Sequence, residues 1–514
     1  MEINLEEIYQ ILDAARRQPM SEVDYETVKT AVTALAEKVA PRSRTTEKTR
    51  AVLPHQIPDR PAEKQPAAKG EPAKSGHGRN PGSAFTGAYR VIVPHATLQS
   101  GNTCPECQKG KVYRQKKPKT LIRITGRPPL EATAYELEQL RCNGCGQVFT
   151  AEAPAQAGEK KYDESAVAMI AQLRYGSGMP FQRLERLEAN LGIPLPAATQ
   201  WEVVEEKAKS LRPALEELIR QAAQGEVAHN DDTGMRILKL ARAPAPEGKS
   251  ERTGVFTSGI VSRVGAWLIA LFFSGWRHAG ENLAEVLKRR APDLPPLIQM
   301  CDALSRNAPK LPGGVKLLLA YCLAHGRRQF VEVAANFPEQ CRYVLEMLGG
   351  VWYNDELARE QKLTPEERLG FHQEYSGPLM KTLKEWMGAQ LSEHKVEPNS
   401  GLGKAIQYML RHWMPLTLFL RQAGAPVDNN LVERALKKAI LHRKNSLFYK
   451  TVKGAEVGDL FMSLIHTCEL NGVTSFDYLT ELLRHSEELR RRPSEWMPWN
   501  YRDTLEQMAT AAAA

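Results

Sequence analysis

The sequence predicts a multidomain α+β protein, and three observations carry that prediction. Between about residues 225 and 324 lie short apolar runs rich in Val, Ile, Leu and Phe, some of them ending in acids. Several such strands followed by a helix make an α/β sheet. Stretches on either side repeat apolar residues at three- and four-residue steps, which is helical spacing. Two Cys-x-x-Cys pairs precede the sheet, a spacing that suits a tetrahedral metal.

Composition narrows the classes further. At 514 residues the chain has room for several domains. Charged residues are 25% and hydrophobic ones 42%, as in a soluble globular protein. The net charge of +9 favours a polyanionic partner. The longest apolar run, residues 264–276, is too short for a bilayer and reads as a buried strand. The start, MEINLEEIYQ, is acidic and amphipathic rather than a secretory signal. Four of the eight cysteines are scattered, as expected in a reducing cytoplasm.

Residues 1–40 place Leu5, Ile8, Ile11 and Leu12, then Val28, Val32, Leu35 and Val39, on helical faces. Such short helices need a partner, so an N-terminal oligomerisation segment is expected. Residues 41–85 hold seven prolines and nine Lys/Arg against four Asp/Glu. Too few apolar residues remain to offset ordering, which predicts a disordered basic linker able to touch DNA backbone. Residues 86–160 form a zinc-binding domain, in which Cys104, Cys107, Cys142 and Cys145 offer four thiolates to structural Zn²⁺. Strands are expected at 120–125 and 135–139.

Residues 161–223 are helical. Pro180 opens one helix with Phe181, Leu184, Leu187 and Leu191 inward, GIPLP breaks it, and Thr199 can start the next. The outline is helix-turn-helix. Glu202, Glu205 and Glu206 on the second helix suit packing better than a phosphate-lined groove, with DNA reading as the alternative. Residues 224–329 then hold the first part of an α/β core. Asp231 and Asp232 follow one apolar run, two strands follow at 255–273, and PLIQMCD ends in Asp302. A strand at 315–324 leads to His325, Arg327 and Arg328. A helical insertion at 330–425, the rest of the core at 426–485 and a tail at 486–514 complete the chain.

Residues 427–448, VDNNLVERALKKAILHRKNSLF, join an acid to a basic helix. Val432, Ala435, Leu436, Ala439 and Ile440 form the apolar stripe, and Glu433 stands off it. Beyond it the charges are positive: Arg434, Lys437, Lys438, Arg443 and Lys444. A carboxylate ahead of such a helix suits a divalent cation beside phosphate. The same residues also fit an Asn430–Glu433 capping box or a Glu433–Lys437 surface pair. Asp231, Asp302 and Glu433 all sit at element ends. Clustered in a partly dry site they would need cations between them, and two Mg²⁺ about 4 Å apart suit phosphodiester chemistry.

Several motifs together give a resemblance: HGRNPGSAFTGA, VPH before CPEC, HNDDTGM, CD at 301–302, CLAHGRRQF, residues 427–448, and SLIHTCELNGVTSFDYL. Over roughly residues 76–479 the chain resembles the transposases of the insertion sequence 66 (IS66) family of bacterial mobile elements. The resemblance implies an RNase H-like core whose D-D-E triad falls on Asp231, Asp302 and Glu433. It also implies a zinc-binding segment that matches the four cysteines. Where the commoner family text reads D-E-T-P, this chain reads Asp231-Asp232-Thr233-Gly234. Neighbours on a strand face opposite ways, so Asp232 is expected to point away from Asp231.

The implied activity is cleavage and strand transfer at insertion-sequence ends with Mg²⁺ or Mn²⁺. Double-stranded DNA, as transposon ends and target, is the expected partner of a homo-oligomer, with accessory proteins of the same element and no membrane. The expected location is the bacterial cytoplasm at the nucleoid. Arg327, Arg328, Arg434, Lys437, Lys438, Arg443 and Lys444 are the candidate phosphate contacts. His325 either joins them or caps its strand, and Asn429 and Asn430 shape the helix start. Two competing readings are a non-catalytic zinc-stabilised DNA-binding regulator and an RNase H-like nuclease that cuts branched DNA without joining.

Overall fold

A computed structural model describes residues 96–113, 129–141, 148–240, 254–311 and 316–513. The expected N-terminal helices and linker, the strand at 120–125, and Cys142 and Cys145 lie outside the described residues. The described residues fall in two compact units, one within Pro58–Pro129 and one from Leu130 onward.

The second unit is organised by a five-stranded sheet in the order β6-β5-β3-β7-β8. Its strands are β3 (Val227–Gly234), β5 (Phe256–Val264), β6 (Trp267–Gly275), β7 (Leu297–Cys301) and β8 (Leu317–Tyr321). β3 pairs antiparallel with β5, and β5 with β6. β7 runs parallel to β3, and β8 parallel to β7. Two small pairings are separate from this sheet: β1 (Gln139–Arg141) with β2 (Val148–Thr150), and β4 (Ile237–Lys239) with β9 (Tyr449–Thr451). The strand expected through residue 324 is shorter than its apolar run. Pairing with β7 stops at Tyr321, and Leu323 opens a helix by donating its amide to Val427 O (3.1 Å).

The helices ahead of the sheet are α1 (Glu164–Ala171), α2 (Phe181–Asn190) and α3 (Ala197–Ala222). α3 buries Val204, Ala208, Leu211, Ala214 and Leu218 in the main core, which is a packing role. Leu191, expected to face inward, lies just past the end of α2 and is exposed. α4 (Ala279–Leu287) leads from β6 to β7. After β8 come α5 (Leu323–Val333) and the expected helical insertion: α6 (Pro338–Glu360), α7 (Pro365–Phe371), α8 (Gly377–Ser392), α9 (Gly401–Arg411) and α10 (Trp413–Leu416). All of these but α7 build a second core with Val227, Ile298 and Met300 of the sheet. α11 (Asn430–Ser446) follows, then α12 (Val452–Leu470), α13 (Ser475–Arg484), α14 (Ser486–Arg491) and α15 (Tyr501–Ala513).

An edge strand leaves unpaired backbone groups that must find partners. β6 meets this need through α12. Leu268 N, Ala270 N, Phe272 N and Ser274 N donate to Asn471 Oδ1 (3.1 Å), Thr467 Oγ1 (3.1 Å), Ser463 Oγ (3.0 Å) and Asp459 Oδ2 (2.6 Å). Four helical residues rise about 6.0 Å and two strand residues about 6.6 Å, so the two ladders keep step.

Inside the insertion, Asp355 accepts from Arg368 (2.5 Å) and lies 3.3 Å from His372 Nε2, while Arg368 Nη1 donates to Ala425 O (2.9 Å). Burial opposes ionisation of Asp355, but the His372 bond and Arg368 outweigh it and hold its pKa at about 2. A depressed carboxyl pKa stabilises the fold above the unfolded value and loses that contribution as pH falls through the folded one. The insertion should therefore lose on the order of 2 kcal/mol between about pH 4 and pH 2. Arg368→Met should raise the midpoint of acid unfolding, read by tryptophan fluorescence; an unmoved midpoint would deny the pair this role.

Candidate active site

β3 is buried from Val227 to Asn230 and emerges at Asp231. Asp302 follows directly on β7. The parallel register sets His229 opposite Met300, so two residues further on Asp231 stands beside Asp302. One side chain then serves both acids. Asn307 Nδ2 donates to Asp302 Oδ1 and also lies 3.4 Å from Asp231 Oδ1. Asn307 is held in turn by its carbonyl, which accepts from Asn230 Nδ2 (2.9 Å) and Gln299 Nε2 (2.7 Å).

Glu433 arrives on α11, which packs over β5 and β3. Gly259 makes this approach possible. It is the register partner of Asp231, and a Cβ there would lie 3.0 Å from Leu436 and 3.2 Å from Val432. Asn429 fixes the start of α11 against β3, its Nδ2 donating to Asn230 O (3.2 Å). Its Oδ1 lies 3.1 Å from His229 Nδ1. Burial lowers the His229 pKa to about 4, so this ring is neutral and Nδ1–H is the donor to Oδ1. Asp428 Oδ1 and Oδ2 accept from Asn430 N (3.0 Å) and Trp352 Nε1 (3.0 Å), so the insertion also grips this turn.

The acids share a field. Burial first, then the charges of Asp302, Asp232 and Glu433, push the Asp231 pKa up to about 7. A positive charge placed beside these acids would lower the cost of ionising Asp231. Asp232 faces the other way, as expected. Its Oδ2 lies 2.9 Å from His278 Nδ1 and accepts from Ala279 N (3.4 Å) at the start of α4.

Glu433 neither caps α11 nor pairs with Lys437: among the described residues its one ion-pair contact is His325 Nδ1 at 3.8 Å. His325 sits in the first turn of α5, beyond the strand it was expected to cap. Of the candidate phosphate contacts, Arg328, Lys437 and Lys444 are exposed, Arg327 is half-buried, and none has an ion pair among the described residues. Arg434 is exposed and donates to Asn430 O (3.2 Å). The other two are drawn inward. Lys438 bonds Glu469 Oε1 (2.6 Å) and Gly176 O (3.1 Å), and Arg443 donates to Gly234 O at the end of β3. The apolar stripe of α11 buries His442 in place of the half-buried Ile440. Arg174 Nη2 lies 2.9 Å from the His442 ring, which burial keeps neutral with a pKa of about 3.

In the first unit, Cys104 and Cys107 stand in a tight turn. Cys104 N donates to Gly110 O (2.7 Å), and Gly110 N donates to Cys107 Sγ (3.4 Å). The Gly110 amide is the first cause that lowers the Cys107 pKa, so the turn favours the thiolate that a metal takes.

Sequence reasoning missed Asn307, Gln299, Asn230, His229 and Cys322 as parts of this site. His229 and Asn230 carried a signal, since they open the motif that holds Asp231, and so did Cys322, which opens CLAHGRRQF. Among the described residues no helix is long and apolar enough to cross a membrane.

Comparison with known proteins gives a context for this geometry. Residues 160–457 match the family model described as "Transposase IS66 family". The uncharacterized protein y4jD of Sinorhizobium fredii (strain NBRC 101917 / NGR234) is 35% identical over 193 residues, 36% of either chain. Two more uncharacterized proteins of that organism are similar over longer stretches. Protein y4hP is 26% identical over 71% of this chain and 67% of its own length. Protein y4qI is 24% identical over 66% and 62%. The chain thus spans little more than a third of y4jD and under two thirds of y4qI. Since the family match takes in more than half of the 514 residues, with Asp231, Asp302 and Glu433 inside it, this protein belongs to the IS66 transposase family.

Proposed function

We propose that this chain is a D-D-E transposase that cuts and joins DNA at insertion-sequence ends. What supports the proposal is the β3–β7 register, which sets Asp231 beside Asp302, together with the packing on β3 of α11, the helix that carries Glu433. The strand order, with an antiparallel β3-β5-β6 meander on one side and the parallel β7 and β8 on the other side of β3, supports an RNase H-like core. The three carboxylates are suited to hold Mg²⁺ or Mn²⁺. Bound there, the ions would supply an activated water or 3′-hydroxyl and stabilise the leaving oxygen.

The chain's own residues do the remaining work. Asn307 orients Asp302 and Asp231 through one amide. Asn429 and Asp428 fix the turn that delivers Glu433. Arg327, Arg328, Arg434, Lys437 and Lys444 hold backbone phosphate, while Lys438 and Arg443 brace α11. The Cys104–Cys107 turn is suited to supply two thiolates to structural zinc. The partners are double-stranded transposon ends and target DNA, bound at the nucleoid by a homo-oligomer with accessory proteins of the element.

The test is strand transfer by the purified full chain with Mg²⁺ and DNA carrying the element's ends. Joined products support the proposal. Cutting of branched DNA without joining would favour a structure-selective nuclease, and binding alone a regulator. A second expectation concerns the exposed cations. Replacing Arg434, Lys437 and Lys444 by Ala should flatten the plot of log binding constant against log salt by about 1 per residue. An unchanged slope would remove them from the DNA interface.

A further inference from the structure

Two helix starts meet beside Glu433. Cys322 is the residue before α5 and His325 lies in its first turn, so the Cys-x-x-His spacing brings both onto one side. Leu323 N donates to Val427 O (3.1 Å) and Asn429 N to Cys322 Sγ (3.2 Å), which joins the start of α5 to that of α11. The sulfur of Cys322, a ring nitrogen of His325 and a carboxylate oxygen of Glu433 all lie within 4.8 Å of one another. Two of the facing atoms lack partners. His325 Nδ1 and Glu433 Oε1 are 3.8 Å apart, both shielded from solvent, and neither makes a hydrogen bond. Buried polar atoms left in this way call for something between them.

We infer that Cys322, His325 and Glu433 form a binding site for a divalent transition ion of the zinc class. One sulfur, one imidazole and one carboxylate are a donor set that suits zinc far better than magnesium. Bonds of about 2.0–2.3 Å would draw the three atoms to within about 4 Å of one another. The Glu433 side chain, 31% exposed, has room to turn toward such an ion. The backbone amide of Asn429 already donates to the sulfur, as amides around a thiolate ligand do. On binding, the thiol gives its proton to solvent.

The consequence rests on the proposed function. Glu433 is also the acid that completes the triad, so zinc held by Cys322 and His325 takes it from the magnesium ligands. Zinc is therefore an inhibitor of strand transfer, held by two residues outside the triad, Cys322 and His325, and by one within it, Glu433.

The test titrates metal-free, reduced full-length protein with ZnCl₂ and counts bound zinc. Cys322→Ser, His325→Gln and Glu433→Gln should each bind one equivalent less than wild type. Wild-type stoichiometry and affinity in these variants would overturn the site. If Cys322→Ser fails to fold by circular dichroism, His325→Gln, on a partly exposed position, carries the test. Zinc should also inhibit magnesium-dependent strand transfer in wild type, and His325→Gln should need at least about tenfold more zinc for the same inhibition. Equal sensitivity would overturn the inhibitory role. Asp231→Asn separates the two readings. It should keep the zinc equivalent, and loss of that equivalent would mean that the ion sits on the triad instead. Strand transfer that survives in Asp231→Asn would sink the catalytic reading and leave the zinc count standing.

Discussion

Asp231→Asn should lower strand transfer by a factor on the order of 10³ or more while leaving binding to transposon ends intact. The substitution keeps the shape of the side chain and removes only its charge. The amide can still meet Asn307, so the packing around β3 survives. What is lost is the carboxylate that burial and three neighbouring acids hold near a pKa of 7. Asp302→Asn and Glu433→Gln should fail in the same way, because one missing ligand is enough to spoil a shared ion pair. Gel assays of joined product beside gel-shift assays of end binding would measure both. An Asp302→Asn protein that still cut and joined would refute the assignment.

The same arrangement sets a pH dependence. A carboxyl whose folded pKa is raised costs stability once it ionises: the cost is absent below the unfolded pKa of about 4 and grows as pH rises toward 7. A bound cation offsets that cost. Magnesium should therefore raise the melting temperature more at pH 8 than at pH 5, and the difference should shrink in Asp231→Asn. Equal magnesium shifts at both pH values in wild type would argue against Asp231 as a ligand.

Thr467→Val should produce the larger effect on stability. The two side chains have nearly the same shape and both branch at Cβ, so no cavity opens and the helix loses little. The hydroxyl, however, accepts from Ala270 N (3.1 Å) and donates to Ala270 O (3.2 Å) on a fully buried residue. Valine leaves both groups without a partner and without access to water, which costs on the order of 2 kcal/mol. Hydrogen exchange offers the direct measurement. The Ala270 amide should exchange roughly thirtyfold faster, whereas amides of the insertion should not change. Unaltered protection at Ala270 would mean that the contact between α12 and β6 is held by apolar packing alone.

Much of this protein was legible because the signals are local. Alternating and continuous apolar runs marked β3, β5, β6 and β7, and the stripe from Val432 to Ala439 marked α11. Chemistry at element ends marked Asp231, Asp302 and Glu433, and strand alternation set Asp232 apart from Asp231. Local signals also misled. Leu191 continued a helical period that the chain had already left, and the run ending at Ala324 was read as strand because an apolar helix start looks the same. Lys438 and Arg443 looked like free cations because their acceptors, Glu469 and Gly234, are 31 and 209 residues away.

What the sequence determined by itself was which residues could do chemistry and what kind of element carries each, since both depend on side-chain identity and on periods of two or 3.6 residues. Only the tertiary structure decided who meets whom. Asn307 under two carboxylates, Asn429 clamping α11 to β3, the polar ladder of α12 on β6, and Cys322 with His325 against Glu433 all join residues on different elements. Such contacts form only when the sheet closes and Gly259 lets α11 come down on it, and no short-range pattern in the chain encodes that.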